Sequence, residues 1–184
     1  MGRGTTLVEA ALLGRIPLGT DVNPLCSRLV RPRLAPPTFE EVTARLAEID
    51  FRIPVTYPEE LLVFFHSETL REICALRSYL LERERTQMLD MTDDWIRMVA
   101  LNRLTGHSPG FFSVYTLPPN QAVSVAAQRK INERLKQTPP RRLVPDLILR
   151  KTRALLKDCT DESRRSEEHT SELQSHLNLV CRLL

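Results

Sequence analysis

Apolar and polar positions alternate along this chain in a way that predicts a series of helices separated by proline- and glycine-rich breaks. Over residues 5–13, Leu7, Ala10, Ala11 and Leu13 fall on one stripe, Thr5 or Thr6 can cap it and Gly14 can stop it, so a helix is expected. Residues 15–21 read as a short strand. Residues 25–37 are basic and broken by prolines, and are expected to form a connector. Thr38-Phe39-Glu40-Glu41 has the form of a capping box, and Phe39, Val42, Leu46 and Ile49 carry a helical stripe as far as Asp50. After Ser67, one face holds Leu70, Ile73, Cys74, Leu76, Leu80 and Leu81, and the other holds Arg71, Glu72, Arg77, Glu82 and Arg83. Trp95, Met98, Val99 and Leu101 predict a further helix from Thr92 or Asp93 to Leu104, ended by Gly106, with Trp95, Met98 and Leu101 in the core. Residues 107–120 read as turn and extended chain. Two last helices are expected over 124–136 and 144–157, the second with Pro145 in its first turn.

A helix and then a strand after a glycine turn form the second half of a βαβ unit. The expected fold class is therefore α/β, a truncated Rossmann-like unit with a parallel sheet, although most of the chain is helical. A strand would then be needed on the N-terminal side, where only Met1 stands before Gly2, so an upstream strand is expected in the source gene. Three segments follow: a partial cofactor-type unit over 1–37, a mostly helical continuation over 38–164, and a tail over 165–184.

Composition narrows the classes. A chain of 184 residues with 42% hydrophobic content suffices for a real core, and 5% aromatic content argues against an aromatic-rich β surface. Cys26, Cys74 and Cys159 stand far apart with no Cys-x-x-Cys pair, which argues against a zinc cluster and a disulfide framework and suits a reducing cytoplasm. No apolar run approaches the length of a membrane span. With 26 basic and 23 acidic residues the balance is mildly positive, but residues 125–157 hold ten Lys or Arg against Glu133 and Asp146. Arg129, Lys130, Arg134, Arg150 and Lys151 are thus candidate contacts to nucleic-acid phosphates, or the solvated faces of two helices.

The sharpest chemical signal is Gly2-Arg3-Gly4-Thr5-Thr6-Leu7-Val8-Glu9-Ala10 joined to Gly19-Thr20-Asp21-Val22-Asn23-Pro24. Glycines let a ligand approach the backbone, a helix start offers unpaired N–H groups to an anion, and an acid after the next strand can accept ribose hydroxyls. A nicotinamide fingerprint fails, because its third glycine position is Leu7. The pair resembles motifs I and II of the S-adenosylmethionine-dependent DNA amino-methyltransferases, which methylate the exocyclic amine of adenine or cytosine. The resemblance implies that Gly2 and Gly4 lie beside the methionine moiety of S-adenosylmethionine, with Thr5 and Thr6 at the helix start. It further implies that Asp21 takes the ribose hydroxyls, Val22 lies against the adenine, and Asn23-Pro24 shapes the next turn. Double-stranded DNA is the implied partner. The strings Asn102 to Gly110 and Leu117 to Asn120 also resemble a helical segment of this group, without roles for single residues.

Catalysis in that family needs a loop of Asp, Asn or Ser, then Pro-Pro, then an aromatic residue. The Pro-Pro pairs here are followed by Thr38, Asn120 and Arg141, so no catalytic residue is assigned and the chain by itself is expected to be inactive. The tail from Arg165 resembles a translated sequencing adapter, so His169, His176 and Cys181 are not read as a metal site. His107 is expected to hydrogen-bond its Ser-Pro-Gly turn, and His66 to be structural. The alternative reading, from another class, is a non-enzymatic helical module that binds nucleic acid through its basic C-terminal helices.

Overall fold

The computed structural model describes residues 2, 4–117, 123–157 and 159. Seven α-helices order them: α1 (Thr5–Leu12), α2 (Pro24–Leu34), α3 (Phe39–Glu48), α4 (Ser67–Arg85), α5 (Met91–Leu101), α6 (Val125–Leu135) and α7 (Val144–Leu156), with a 3-10 turn at Glu59–Val63. The expected α/β architecture is not found: among the described residues there is no sheet, and the pairing of Gly106 with Tyr115 is an isolated bridge. The reason lies in residues 15–20. A strand needs a neighbour to satisfy its backbone groups, and this segment joins no ladder and leaves Ile16 and Leu18 exposed. It folds back over α1 instead, so closely that a Cβ on Gly19 would stand 2.9 Å from Leu7 Cδ1.

Helix ends follow their local chemistry. In α1, Gly14 at φ 68° lets its own N–H reach Ala11 O while the N–H of Arg15 reaches Ala10 O, the pairing that lets a glycine end a helix. The capping box of α3 forms as expected, with the Glu41 N–H on Thr38 Oγ1 at 3.1 Å and the Thr38 N–H on Glu41 Oε2 at 2.7 Å. His66, expected to be structural, caps α4: its Nδ1 accepts from the Glu68 N–H at 3.2 Å. The expected connector at 25–37 is largely helix. Asn23 Oδ1 accepts from the Leu25 N–H, Pro24 occupies the first turn, and Pro32 lies inside α2, where it costs one backbone hydrogen bond and is buried with Val30 and Leu34.

The core lies where α3, α4, α5 and α7 meet, and α2 covers the outer side of α5. Val42, Ile96, Val99, Phe112, Val144 and Ile148 are fully buried there, with Trp95 and Met98 as the periodicity implied; Leu101, expected beside them, is exposed at the end of α5. Two polar joins come from distant sequence. Glu72 of α4 accepts the Val144 N–H at 2.8 Å and so caps α7, which has no side-chain cap of its own. Thr69 Oγ1 gives and receives a hydrogen bond, each 2.8 Å, with the backbone of Arg142. Residues 106–116, though irregular, are also core. The Phe112 N–H bonds Arg103 O and the Val114 N–H bonds Phe64 O, both at 2.8 Å, and Gly106 is required because a Cβ there would meet the Phe111 ring at 2.5 Å.

α1, by contrast, buries no residue, and Leu12, Leu13 and Ile16 near its end are exposed. Few buried contacts mean a small free energy of local opening. Amide exchange is therefore expected to be slow within 38–106 and fast across 15–21; equal protection in the two regions would show that the N-terminal unit is held as firmly as the core.

Candidate functional site

The backbone brings the two halves of the glycine–acid motif together. The Gly2 N–H donates to Asp21 Oδ2 at 2.7 Å across nineteen positions of sequence, and the Asn23 N–H donates to Asp21 Oδ1 at 2.9 Å. These bonds, from Asn23 first and Gly2 second, hold the Asp21 carboxyl well below the usual carboxylate range. Asp21 is therefore ionised throughout the neutral and mildly acidic range, an acceptor at the surface.

The two glycines differ in what they serve. Gly4 is buried at φ 77°, and a Cβ on it would stand 2.2 Å from Val30 Cγ2, so it is needed for the packing of α1 against α2. Gly2 has φ 54° and open space where a Cβ would point. Thr5 and Thr6 are exposed in the first turn of α1, and no side chain caps that helix, so its leading N–H groups have no side-chain acceptor. Val22 is fully exposed beside Asp21. Asn23 is committed as the cap of α2. Gly2, Thr5, Thr6, Asp21 and Val22 are thus exposed, with Gly2 and Asp21 in contact, whereas Gly4 and Asn23 carry backbone and packing duties.

The basic residues do not form one stripe. Arg129, Lys130 and Arg134 are exposed on α6, which rests on the 3-10 turn at Glu59–Val63. Gln128 seats that helix, donating to Tyr115 O at 2.9 Å, and Asn132 donates to Val63 O at 2.8 Å. Arg150 and Lys151 lie on α7, which packs against α3, α4 and α5. There Arg150 Nη2 donates to Pro109 O at 3.3 Å, and Arg103, at the end of α5, comes to the same turn with its guanidinium 4.3 Å from the centre of the Phe111 ring. Periodicity places Arg103 near a helix end without revealing this neighbour, because the irregular 106–116 segment brings them together. His107 is exposed, its ring 6.2 Å from that of Phe111; the hydrogen bond expected from it to its own turn is not formed.

A mostly apolar cleft of about 930 Å³ lies among Leu61, Phe64, Leu70, Ile73 and Leu104, with Arg77 in its wall. Among the described residues no group of three His, Cys, Asp or Glu could hold a metal, and no helix is long and apolar enough to cross a membrane. The tail 165–184, with His169, His176 and Cys181, and the pair Pro118-Pro119 lie outside the described residues. Comparison with family models, with curated proteins and with solved structures finds no match to this chain.

Proposed function

We propose that this chain supplies the S-adenosylmethionine-binding part of a DNA amino-methyltransferase acting on adenine or cytosine in the cytoplasm. The observation that carries the reading is the contact of the Gly2 N–H with the Asp21 carboxylate, which brings the glycine turn just before α1 to the acid. The cofactor's chemistry suits these groups. Its methionine carboxylate matches the uncapped N–H groups at the start of α1, its vicinal diol matches an ionised acceptor at Asp21, and Val22 offers an exposed apolar contact for the adenine. The methionine ammonium and sulfonium are cationic and are not repelled by Asp21. Orientation of the target amine belongs to a Pro-Pro-aromatic loop that these residues do not include, so the reading assigns the chain binding without turnover.

Calorimetric titration tests this. The intact chain is expected to bind S-adenosylmethionine, and Asp21→Ala to weaken that binding about tenfold or more, as expected for loss of hydrogen bonds to a charged group. Arg129→Gln should have no effect. Affinity unchanged in Asp21→Ala, or no binding by the intact chain, would overturn the assignment. Because the Asp21 carboxyl is held low, binding is also expected to stay level from neutral pH down through the ordinary Asp range near 4.

A further inference from the structure

Three hydrogen-bond donors from three parts of the fold converge on one point. Measured from where a Cβ would stand on Gly110, Ser108 Oγ is 3.6 Å away, Arg103 Nη1 is 3.8 Å and Arg150 Nη2 is 3.9 Å. Arg103 comes from the end of α5, Ser108 from the turn and Arg150 from α7. Lys151 follows Arg150 on the same helix and is half-buried.

These cations have no counter-charge within the described part of the fold. The guanidiniums of Arg28, Arg45, Arg71, Arg83, Arg85 and Arg97 all pair with carboxylates, but Arg103, Arg150 and Lys151 pair with none. Asp146 precedes Arg150 by one helical turn, the spacing at which an ion pair forms, yet Arg150 turns away from it to the Pro109 carbonyl. The other local contacts of Arg103 are the Asn102 carbonyl at 2.9 Å and the face of Phe111. These hold the fork in place and leave its positive charge uncompensated. Burial lowers the affinity of Arg103 for its proton, and burial followed by the charges of Arg103 and Arg33 does the same for Lys151. Arg150 and Ser108 are exposed while Arg103 and Lys151 are half-buried, so the group lies at the surface, where like charges set close together favour an anion that joins them.

We infer that Arg103, Arg150 and the Ser108 hydroxyl, gathered round Gly110, form a binding site for one phosphate group, with Lys151 adding positive charge from the next position of α7. Phosphate fits better than a carboxylate because a tetrahedral group offers oxygens in several directions to donors arriving from three elements, and two planar guanidinium forks suit it. The Pro109 carbonyl, the one acceptor at this turn bonded to Arg150, keeps that fork aimed at the gap. The cations of α6 are outside the site. The inference is independent of the cofactor reading, since it shares no residue with Asp21 and its surroundings.

The test uses the full chain with two probes at fixed ionic strength: inorganic phosphate, and a short DNA duplex. Gly110→Ala puts a methyl at the convergence point, at ordinary contact distance from all three donors, so it blocks the gap without a clash or a change of charge. Arg150→Gln/Lys151→Gln removes charge from side chains that make no ion pair. Both variants are expected to lose about tenfold or more in affinity for whichever probe binds, while Arg129→Gln/Lys130→Gln/Arg134→Gln stays within twofold for phosphate. Sensitivity with inorganic phosphate identifies a pocket for a free phosphate group; sensitivity with the duplex alone identifies a phosphodiester contact. Binding of neither probe, or binding indifferent to both variants, would overturn the inference.

Discussion

Asp93→Ala is expected to destabilise the fold by about 3–5 kcal/mol, the cost typical of removing one partner from a buried ion pair. Asp93 is wholly buried. Its two oxygens meet Arg45 Nη1 at 2.5 Å and Arg83 Nε at 2.6 Å, and it also accepts the Asp90 N–H at 3.1 Å as part of the cap of α5. Alanine would leave two guanidiniums with Asp90 as their remaining shared partner and would orphan a backbone donor. The network ties α3 and the end of α4 to the start of α5, so the loss falls on the centre of the core. Asp93→Asn, which keeps the shape and an acceptor, should lose less, and urea denaturation would rank the two. Loss below 1 kcal/mol in Asp93→Ala would mean that solvent already compensates these charges. Acid should act in the same direction. Burial, the largest single influence, would raise the Asp90 carboxyl, but the hydrogen bonds from Arg45 and the Asp93 N–H and the charges of Arg45 and Arg83 together outweigh it, and the carboxyl is lowered. Its contribution is thus complete above the ordinary Asp value near 4 and is lost as pH falls below it.

Phe112→Ala carries the second large effect, about 3–5 kcal/mol for an aromatic side chain deleted from a closed core. Phe112 is wholly buried although it lies in irregular chain, and its N–H is fixed to Arg103 O. Its ring belongs to the same cluster as Leu76, Ile96 and Val99. Leu81→Ala is the natural comparison, since Leu81, expected on the apolar face of α4, is about half exposed and a change there should cost far less than at Phe112. Equal midpoints in a denaturation series would show that the 106–116 segment is a surface loop in solution. Because that segment also positions Arg103, Phe112→Ala should weaken the phosphate site together with the fold.

The helices were legible wherever a cap and a stripe lay within a few residues of each other. Thr38 to Glu41 and Gly14 needed no distant partner, and Leu70, Leu76 and Leu80 point inward as their spacing implies. α2 was not legible, because prolines read as breaks, although Pro24 falls in the first turn and Pro32 is carried inside the helix by burial together with Val30 and Leu34. The strand at 15–21 was misread for a related reason. Its pattern specifies a face for a sheet, but a sheet needs a second strand, and none of the described residues supplies one. Long-range polar joins were equally invisible: nothing local to Glu72 shows that it caps a helix seventy residues on, or that Asp93 will face two arginines.

At the candidate sites the division is the same. The glycine turn and Asp21 were found as a pair because their chemistry is local at each end, and they meet in space. Gly4 and Asn23 carry structural duties that spacing alone does not separate from ligand binding. Charge density along 125–157 marks two basic helices, but it does not show that the cations of α7 are joined by Arg103 from outside that stretch.

Amide NMR of the intact chain titrated with S-adenosylmethionine examines the cofactor reading at its own residues. Shifts are expected at Gly2, Gly4, Thr5 and Thr6 and at Asp21, Val22 and Asn23, with the amides of α6 and α7 unmoved. A saturating titration that leaves Gly2 and Asp21 unshifted, or moves only amides elsewhere in the fold, would remove the basis for placing the cofactor on this surface.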